Sequence, residues 1–170
     1  MAPTRIGTIM LKAVTVRHPT AQDRDAWLEM RQSLWPECPQ NEHVAEIDET
    51  IAGKGQTAFV AELQNGHVCG FLEASLRPFA NGCETKPVGY IEGWYVLPDC
   101  RRQGVGRALV AAAEGWALEQ GCVEMASDAI VSNTESQKAH AAIGYGETDR
   151  IVCFTKRLSA GDSTGRTAAQ

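Results

Sequence analysis

The fold of this protein is decided by the run Tyr90-Ile91-Glu92-Gly93-Trp94-Tyr95-Val96-Leu97, which is followed three residues later by Arg101-Arg102-Gln103-Gly104-Val105-Gly106-Arg107. The first run is rich in aromatic and β-branched residues and predicts a strand, and the second opens an Ala-rich stretch with helical spacing of apolar residues. A helix N-terminus offers unpaired N–H groups and a positive dipole end. The strand, loop and helix together therefore predict a site for an anion such as pyrophosphate.

The spacing of the glycines separates three kinds of phosphate-binding loop. A dinucleotide-binding loop needs a third Gly or Ala where Leu109 stands, and a Walker loop needs Lys-Ser/Thr where Arg107-Ala108 follows Gly106. Both are excluded on this ground. What remains is Arg-x-x-Gly-x-Gly at 101–106.

Composition indicates one globular domain whose partner is a cation. The chain has 170 residues, 44% of them apolar, and a formal charge of −5. This length suits one core, and the negative charge argues against nucleic-acid binding.

The cysteines and the hydropathy pattern predict a cytoplasmic protein without a metal. The six cysteines form no Cys-x-x-Cys pair and have no neighbouring histidine ligands, so neither zinc nor a disulfide framework is indicated. No apolar run is long enough to span a membrane. We expect no membrane partner.

The periodicities predict the element order β-αα-βββ-α-β-α-β over residues 13–158, with a hairpin at Asn65-Gly66 and two final strand segments between Tyr145 and Leu158. We assign 1–12 to an N-terminal extension, 13–158 to the domain and 159–170 to a Gly/Ser/Thr/Ala-rich tail that we expect to be disordered.

The loop and the element order resemble the GNAT acetyltransferase superfamily. Local runs are similar to the aminoglycoside 6′-N-acetyltransferases: Leu34-Trp35-Pro36, Ile91 to Pro98, Gly121 to Asp128, and Ser136-Gln137-Lys138-Ala139-His140. The resemblance implies an α/β (α+β) fold with a central mixed, mostly antiparallel sheet flanked by helices on both faces. It also implies acetyl transfer from acetyl-CoA to the 6′-amine of an aminoglycoside antibiotic, which confers resistance, by an enzyme that is commonly a homodimer.

Two acidic residues are candidates for binding such a polycation. Glu92 interrupts an apolar strand and Asp128 ends the next core strand. Acids at neighbouring strand ends can face one cleft, and carboxylates are rarely placed in core strands without a partner. The resemblance adds Asp149, Trp35 and Phe79 as substrate contacts.

The proposed reaction needs a base, an oxyanion donor and an acid. Glu92 or Asp128, directly or through a water, would accept the amine proton. The resemblance implies that the strand opens at Val96, whose N–H would polarise the thioester carbonyl. Many GNAT enzymes carry a tyrosine that acts as the general acid, five residues before an aromatic residue. In this chain that position holds His140, five residues before Tyr145. For His140, a catalytic and a structural role both remain open.

The cofactor-binding candidates follow from the loop and the last helix. The N–H groups of Gln103, Gly104, Val105, Gly106 and Arg107 would bind the pyrophosphate of acetyl-CoA, and Arg101 and Arg102 would add charge. Asn133 is a candidate for the pantetheine arm or for a plain helix cap.

Two other functions fit the same features. A GNAT enzyme could acetylate a polyamine or a protein amine, and a CoA-binding sensor could retain the loop without catalysis.

Overall fold

The protein is built on a five-stranded mixed sheet. The computed structural model describes residues 14–53 and 56–157. Its strands are β1 (Val14–Arg17), β2 (Gln56–Leu63), β3 (Val68–Arg77), β4 (Val88–Val96) and β5 (Met125–Ser127), in spatial order β1-β2-β3-β4-β5. The first four strands are antiparallel, and β5 pairs with β4 in parallel.

The described residues also form four helices: α1 (Arg24–Leu34) and α2 (Gln40–Ile51) between β1 and β2, α3 (Val105–Glu119) between β4 and β5, and α4 (Thr134–Ala142) after β5. The predicted capping box at the start of α1 is confirmed. Thr20 N–H donates to Asp23 at 2.7 Å, and a short 3₁₀ turn leads from there into the helix. None of the described helices is long and apolar enough to cross a membrane.

The helices cover both faces of the sheet, as predicted. On one face, Trp27 of α1 and Ile47 of α2 pack on Phe71. On the other face, Leu109 of α3 packs on Leu72. All five side chains are fully buried, so each face has its own apolar core.

A β-bulge at Glu92 shapes the centre of the sheet. Glu73 pairs with Gly93 and Ala74 pairs with Ile91, so Glu92 is an extra residue on β4. Among the described residues, β5 pairs with β4 only as far as Ile91. The two strands therefore part after Ile91, and the bulge lies at Glu92, four residues before Val96, where the strand was expected to open.

The C-terminal strands predicted between Tyr145 and Leu158 are not formed. Residues 145–157 are irregular, and Leu158 lies outside the described residues. The sequence of this segment has the apolar alternation of a strand, but a strand needs a backbone partner. Among the described residues, β5 is the last strand of the sheet and does not pair with this segment. Val152 and Phe154 are consequently 76% and 92% exposed.

Other sequence expectations differ at their edges. The strand predicted from Val123 begins at Met125, and α4 is capped by Asn133 rather than by Ser132. The proposed extension 1–12 and tail 159–170 lie outside the described residues.

Candidate active site

The predicted phosphate loop has the geometry of an open helix N-terminus. Gly104 precedes α3 with φ +83°, a left-handed conformation that favours glycine, and Arg102 also has positive φ. No side chain caps this end of α3, and the first helical bond runs from Ala108 N–H to Gly104 O at 3.0 Å. The N–H groups of residues 105–107 therefore remain available to an anion.

The two glycines of the loop serve different purposes. A Cβ on Gly104 would meet no atom within 4 Å, so this glycine is needed for its backbone angle. A Cβ on Gly106 would lie 2.7 Å from Trp94 Cζ2, so this glycine lets α3 approach β4 closely.

The basic residues of the loop are exposed, and two of them also bond within the chain. Arg101 Nε donates to Val96 O at 2.9 Å, and Arg107 Nη2 donates to Ala142 O at 2.8 Å. Gln103 Nε2 donates to Asp99 O at 2.7 Å. The side chains of Arg101 and Arg107 thus brace the loop, while its backbone N–H groups face outward.

Val96 presents its N–H at the open edge of β4. Leu97 N–H donates to Cys69 O on β3 at 2.9 Å. Because successive residues of a strand direct their N–H groups to opposite edges, the N–H of Val96 points to the side that β5 has left. The chain therefore offers a backbone donor where the strands part.

Glu92 is held by two side chains from the end of β3. Ser75 Oγ donates to Glu92 Oε1 at 2.5 Å, and Arg77 donates from Nε to Oε1 at 3.0 Å and from Nη2 to Oε2 at 2.5 Å. The Glu92 side chain is 22% exposed. The hydrogen bonds to Glu92 raise the pKa of Arg77, so the guanidinium stays charged.

Asp128 is connected to the same cluster through Tyr90. Tyr90 OH donates to Asp128 Oδ1 at 2.7 Å. Burial, and then the bond to Asp128, raise the pKa of Tyr90, so its hydroxyl remains a donor near neutral pH. The Arg77 guanidinium lies 3.4 Å from the centre of the Tyr90 ring. Arg77 and Tyr90 therefore link Glu92 and Asp128 in one cluster of side chains, and the substrate cleft that this cluster would line stays a prediction.

Trp35 lies beside this cleft. A Cβ on Gly93 would come within 2.3 Å of Trp35 Cη2, so the indole lies directly against β4 next to Glu92. Arg31 is 4.9 Å from the centre of the same ring. Trp35 is only partly buried, which leaves part of the ring available to a ligand.

The other two predicted substrate residues are exposed. Phe79, in the loop after β3, is 64% exposed. Asp149 lies in the irregular C-terminal segment, and among the described residues it makes no hydrogen bond or ion pair with Glu92 or Asp128. The structure brings together Trp35, Glu92 and Asp128, but it does not join Asp149 to them.

His140 has partners for both ring nitrogens. Nδ1 lies 2.8 Å from Ser136 O and Nε2 lies 3.1 Å from Ser127 Oγ. The carbonyl can only accept, so Nδ1 carries a proton. The ring also packs edge-on to Trp94 at 5.3 Å. His140 thus reaches the opening between β4 and β5 through the hydroxyl of Ser127.

Asn133 caps α4. Its side-chain oxygen accepts from Ser136 N–H at 3.0 Å. Asn133 is therefore a helix cap, the second of the two roles considered for it. Its side-chain NH₂ group is left for another ligand.

Sequence analysis missed Ser75, Arg77, Tyr90 and Ser127. The turn-rich composition of residues 77–87 predicts a loop that begins at Arg77, whereas β3 extends through Arg77. The signal was available in the alternation of Ser75 with Arg77 and of Tyr90 with Glu92, because paired antiparallel strands place alternate side chains on one face.

Residues 25–145 match the family model described as the acetyltransferase (GNAT) family. The chain therefore belongs to the GNAT acetyltransferases.

Its relatives narrow the comparison. The chain is 44% identical over 146 residues to aminoglycoside N(6')-acetyltransferase type 1 of Klebsiella aerogenes. The matched region covers 84% of this chain and 96% of the relative. The corresponding enzyme of Serratia marcescens is 44% identical over 135 residues, 79% of this chain and 92% of the relative.

Solved structures agree with this relationship. AAC(6')-Iy in complex with the bisubstrate analogue CoA-S-monomethyl-acetylneamine has TM-score 0.81 and 37% identity, covering 86% of this chain and 99% of that chain. AAC(6')-Ih from Acinetobacter baumannii has TM-score 0.81 and 34% identity, covering 86% and 100%.

Proposed function

We propose that this protein transfers the acetyl group of acetyl-CoA to the 6′-amine of aminoglycoside antibiotics and thereby confers resistance. The observation that carries the proposal is the position of the Glu92–Asp128 cleft at the point where β4 leaves β5. The open N-terminus of α3 supplies the anion site expected for CoA. The names of the relatives supply the substrate class.

Asp128 is the proposed base. Its Oδ1 accepts the Tyr90 hydroxyl, and the residue is exposed, so Oδ2 can accept a proton from the substrate ammonium directly or through a water. Glu92 is the proposed binding group for the amino sugar, with Trp35 packing on a sugar ring beside it. Phe79 and Asp149 would complete the contacts from exposed positions.

The uncharged amine then attacks the thioester carbon. The oxyanion that forms is stabilised by the N–H of Val96, which faces the open edge of β4. Residues 103–107 hold the diphosphate through backbone N–H groups, Arg101 and Arg102 add positive charge, and the Asn133 amide contacts the pantetheine arm.

Collapse of the intermediate releases a thiolate that must be protonated, while the attacking nitrogen, which is positively charged after the attack, loses its second proton to solvent. His140 donates from Nε2 to Ser127 Oγ, and the Ser127 hydroxyl donates its own proton to the sulfur. The proton lost by His140 is replaced from solvent. The reaction thus needs no metal, and the described residues contain no group of three metal-ligating side chains.

We further propose a cytoplasmic homodimer. A cytoplasmic location is supported by five cysteines that are not oxidised to disulfides, Cys38, Cys83, Cys100, Cys122 and Cys153. The dimer is supported by the exposed apolar side chains of the C-terminal segment, among them Ile151 and Phe154. Segment 145–157 would then gain from a second copy the strand partner that its sequence pattern requires.

Thiol release on mixing the protein with acetyl-CoA and an amine tests the reaction. We expect turnover with kanamycin. Turnover with spermidine alone would support a polyamine acetyltransferase instead, and turnover with neither would leave a CoA-binding sensor.

A further inference from the structure

The cation that faces the proposed substrate cleft belongs to the protein itself. Arg77 makes a bidentate ion pair with Glu92 and covers the Tyr90 ring at 3.4 Å. Tyr90 in turn bonds Asp128. The Arg77 guanidinium therefore contacts Glu92 directly and is connected to Asp128 through Tyr90.

This position is one that a substrate ammonium group would take. A carboxylate that is 22% exposed and has left solvent on one side needs a positive partner, and Arg77 supplies it when no substrate is bound. Bidentate arginine–carboxylate pairs are among the stronger ion pairs. An amine that binds Glu92 must therefore compete with Arg77.

The Arg77 side chain can yield its place. It is 40% exposed and stands at the last residue of β3, so the guanidinium can turn toward solvent without disturbing the core. Ser75 would continue to donate to Glu92 after this exchange.

We infer that Arg77 is an internal competitor for the substrate cation at Glu92, so that any amine that binds there must first displace the guanidinium. This inference rests on the proposed function. A monocation gains one ion pair and must displace another. A polycation that reaches Asp128 or Asp149 at the same time gains additional pairs, but it must displace the same guanidinium.

The test is the steady-state kinetics of Arg77→Gln with two amines, kanamycin and the monocationic methyl 6-amino-6-deoxyglucoside. We expect the KM for kanamycin to fall roughly three- to tenfold, and the KM for the monoamine to fall by a similar factor, because both amines displace the same ion pair. Arg77→Lys, which retains charge but loses the bidentate geometry, should shift both constants in the same direction by less. The lysine variant also serves as the test if the glutamine variant fails to fold.

Arg24→Gln is the matched control. Arg24 is also 40% exposed and pairs with a carboxylate, Asp48, but on the surface between α1 and α2. This variant should keep both KM values of the wild type.

A KM for kanamycin that is unchanged or raised in the Arg77 variants would overturn the inference, because Arg77 would then only hold Glu92 in place. A KM that falls for kanamycin but not for the monoamine would also overturn the inference, because both amines must displace the same guanidinium from Glu92. Absence of turnover by the wild type with either amine would overturn the proposed function itself, and the Arg77 inference with it.

Discussion

At the residue scale, the chemistry depends on a few side chains whose partners are now defined. Asp128 differs from Glu92 because the latter is held by both Ser75 and Arg77, whereas Asp128 accepts only the Tyr90 hydroxyl among the described residues. In the proposed protonation of the thiolate, His140 acts through Ser127, because the Ser127 hydroxyl lies between the imidazole and the opening of the strands.

Replacement of Asp128 should therefore affect catalysis more than CoA binding. For Asp128→Asn we expect kcat to fall about 10²-fold or more, since the amide cannot accept the amine proton, with the KM for acetyl-CoA unchanged. Steady-state kinetics with kanamycin measures both. Asp25→Asn, an exposed acid on α1, is the control. Full activity of Asp128→Asn would remove Asp128 as the base.

Replacement of His140 should likewise change kcat without changing the affinity for CoA. His140→Ala should lower kcat at least about tenfold at neutral pH while the protein retains its affinity for CoA. Ser127→Ala should lower kcat by the same factor, and the double variant should be no slower than either single one. Independent, multiplying effects of the two substitutions would indicate that His140 and Ser127 do not share one proton path.

At the element scale, the start of α3 after Gly104 and the order of the elements from β1 to α4 could be predicted from sequence, because glycines and apolar periodicity act locally. The bulge at Glu92 could not, since it depends on pairing with Glu73 and Ala74 of another strand. Arg77 was missed for a related reason: the end of β3 is set by its partner Val88 rather than by its own sequence. The final strands failed because their pattern predicts strand formation without specifying a partner.

Two glycines of α3 provide a matched pair of substitutions. Gly106→Ala should destabilise the fold and raise the KM for acetyl-CoA several-fold, because its Cβ would lie 2.7 Å from Trp94. Gly115→Ala meets nothing within 4 Å and should stabilise the helix by about 0.5–1 kcal/mol. Urea unfolding and acetyl-CoA kinetics compare the two variants. If the two variants had the same free energy of unfolding and the same KM for acetyl-CoA, the close approach of α3 to β4 would be contradicted.

The turn before α1 carries a pH-dependent part of the stability. Hydrogen bonds from Arg17 lower the pKa of Asp23 from 3.8 to about 2. The unfolded chain therefore binds this proton first, so the stabilisation is present above pH 3.8 and is lost as the pH falls toward 2.

We expect Asp23→Asn to lower the free energy of unfolding by about 1–2 kcal/mol at pH 7, a value reduced for the partly exposed Arg17. The deficit should shrink as urea unfolding is repeated from pH 4 toward pH 2. A deficit that stays constant across this range would show that the Arg17 ion pair does not contribute.

At the scale of the whole molecule, the exposed C-terminal segment is the feature that one chain does not satisfy. Phe154 is 92% exposed, an unusual environment for a phenylalanine. If a second copy covers it, Phe154→Ser should shift sedimentation from dimer toward monomer at micromolar concentration. Leu118→Ser, on an exposed position of α3, should not. A wild type that sediments as a monomer would contradict the proposed dimer.

The central claim is that a diphosphate-binding loop and an acidic cleft place an amino sugar against a thioester. Locating the acetyl group by mass spectrometry and NMR of kanamycin after incubation with acetyl-CoA tests it most directly. The account predicts one added acetyl group, on the 6′ nitrogen. An acetyl group on any other nitrogen, or unmodified kanamycin, would contradict it.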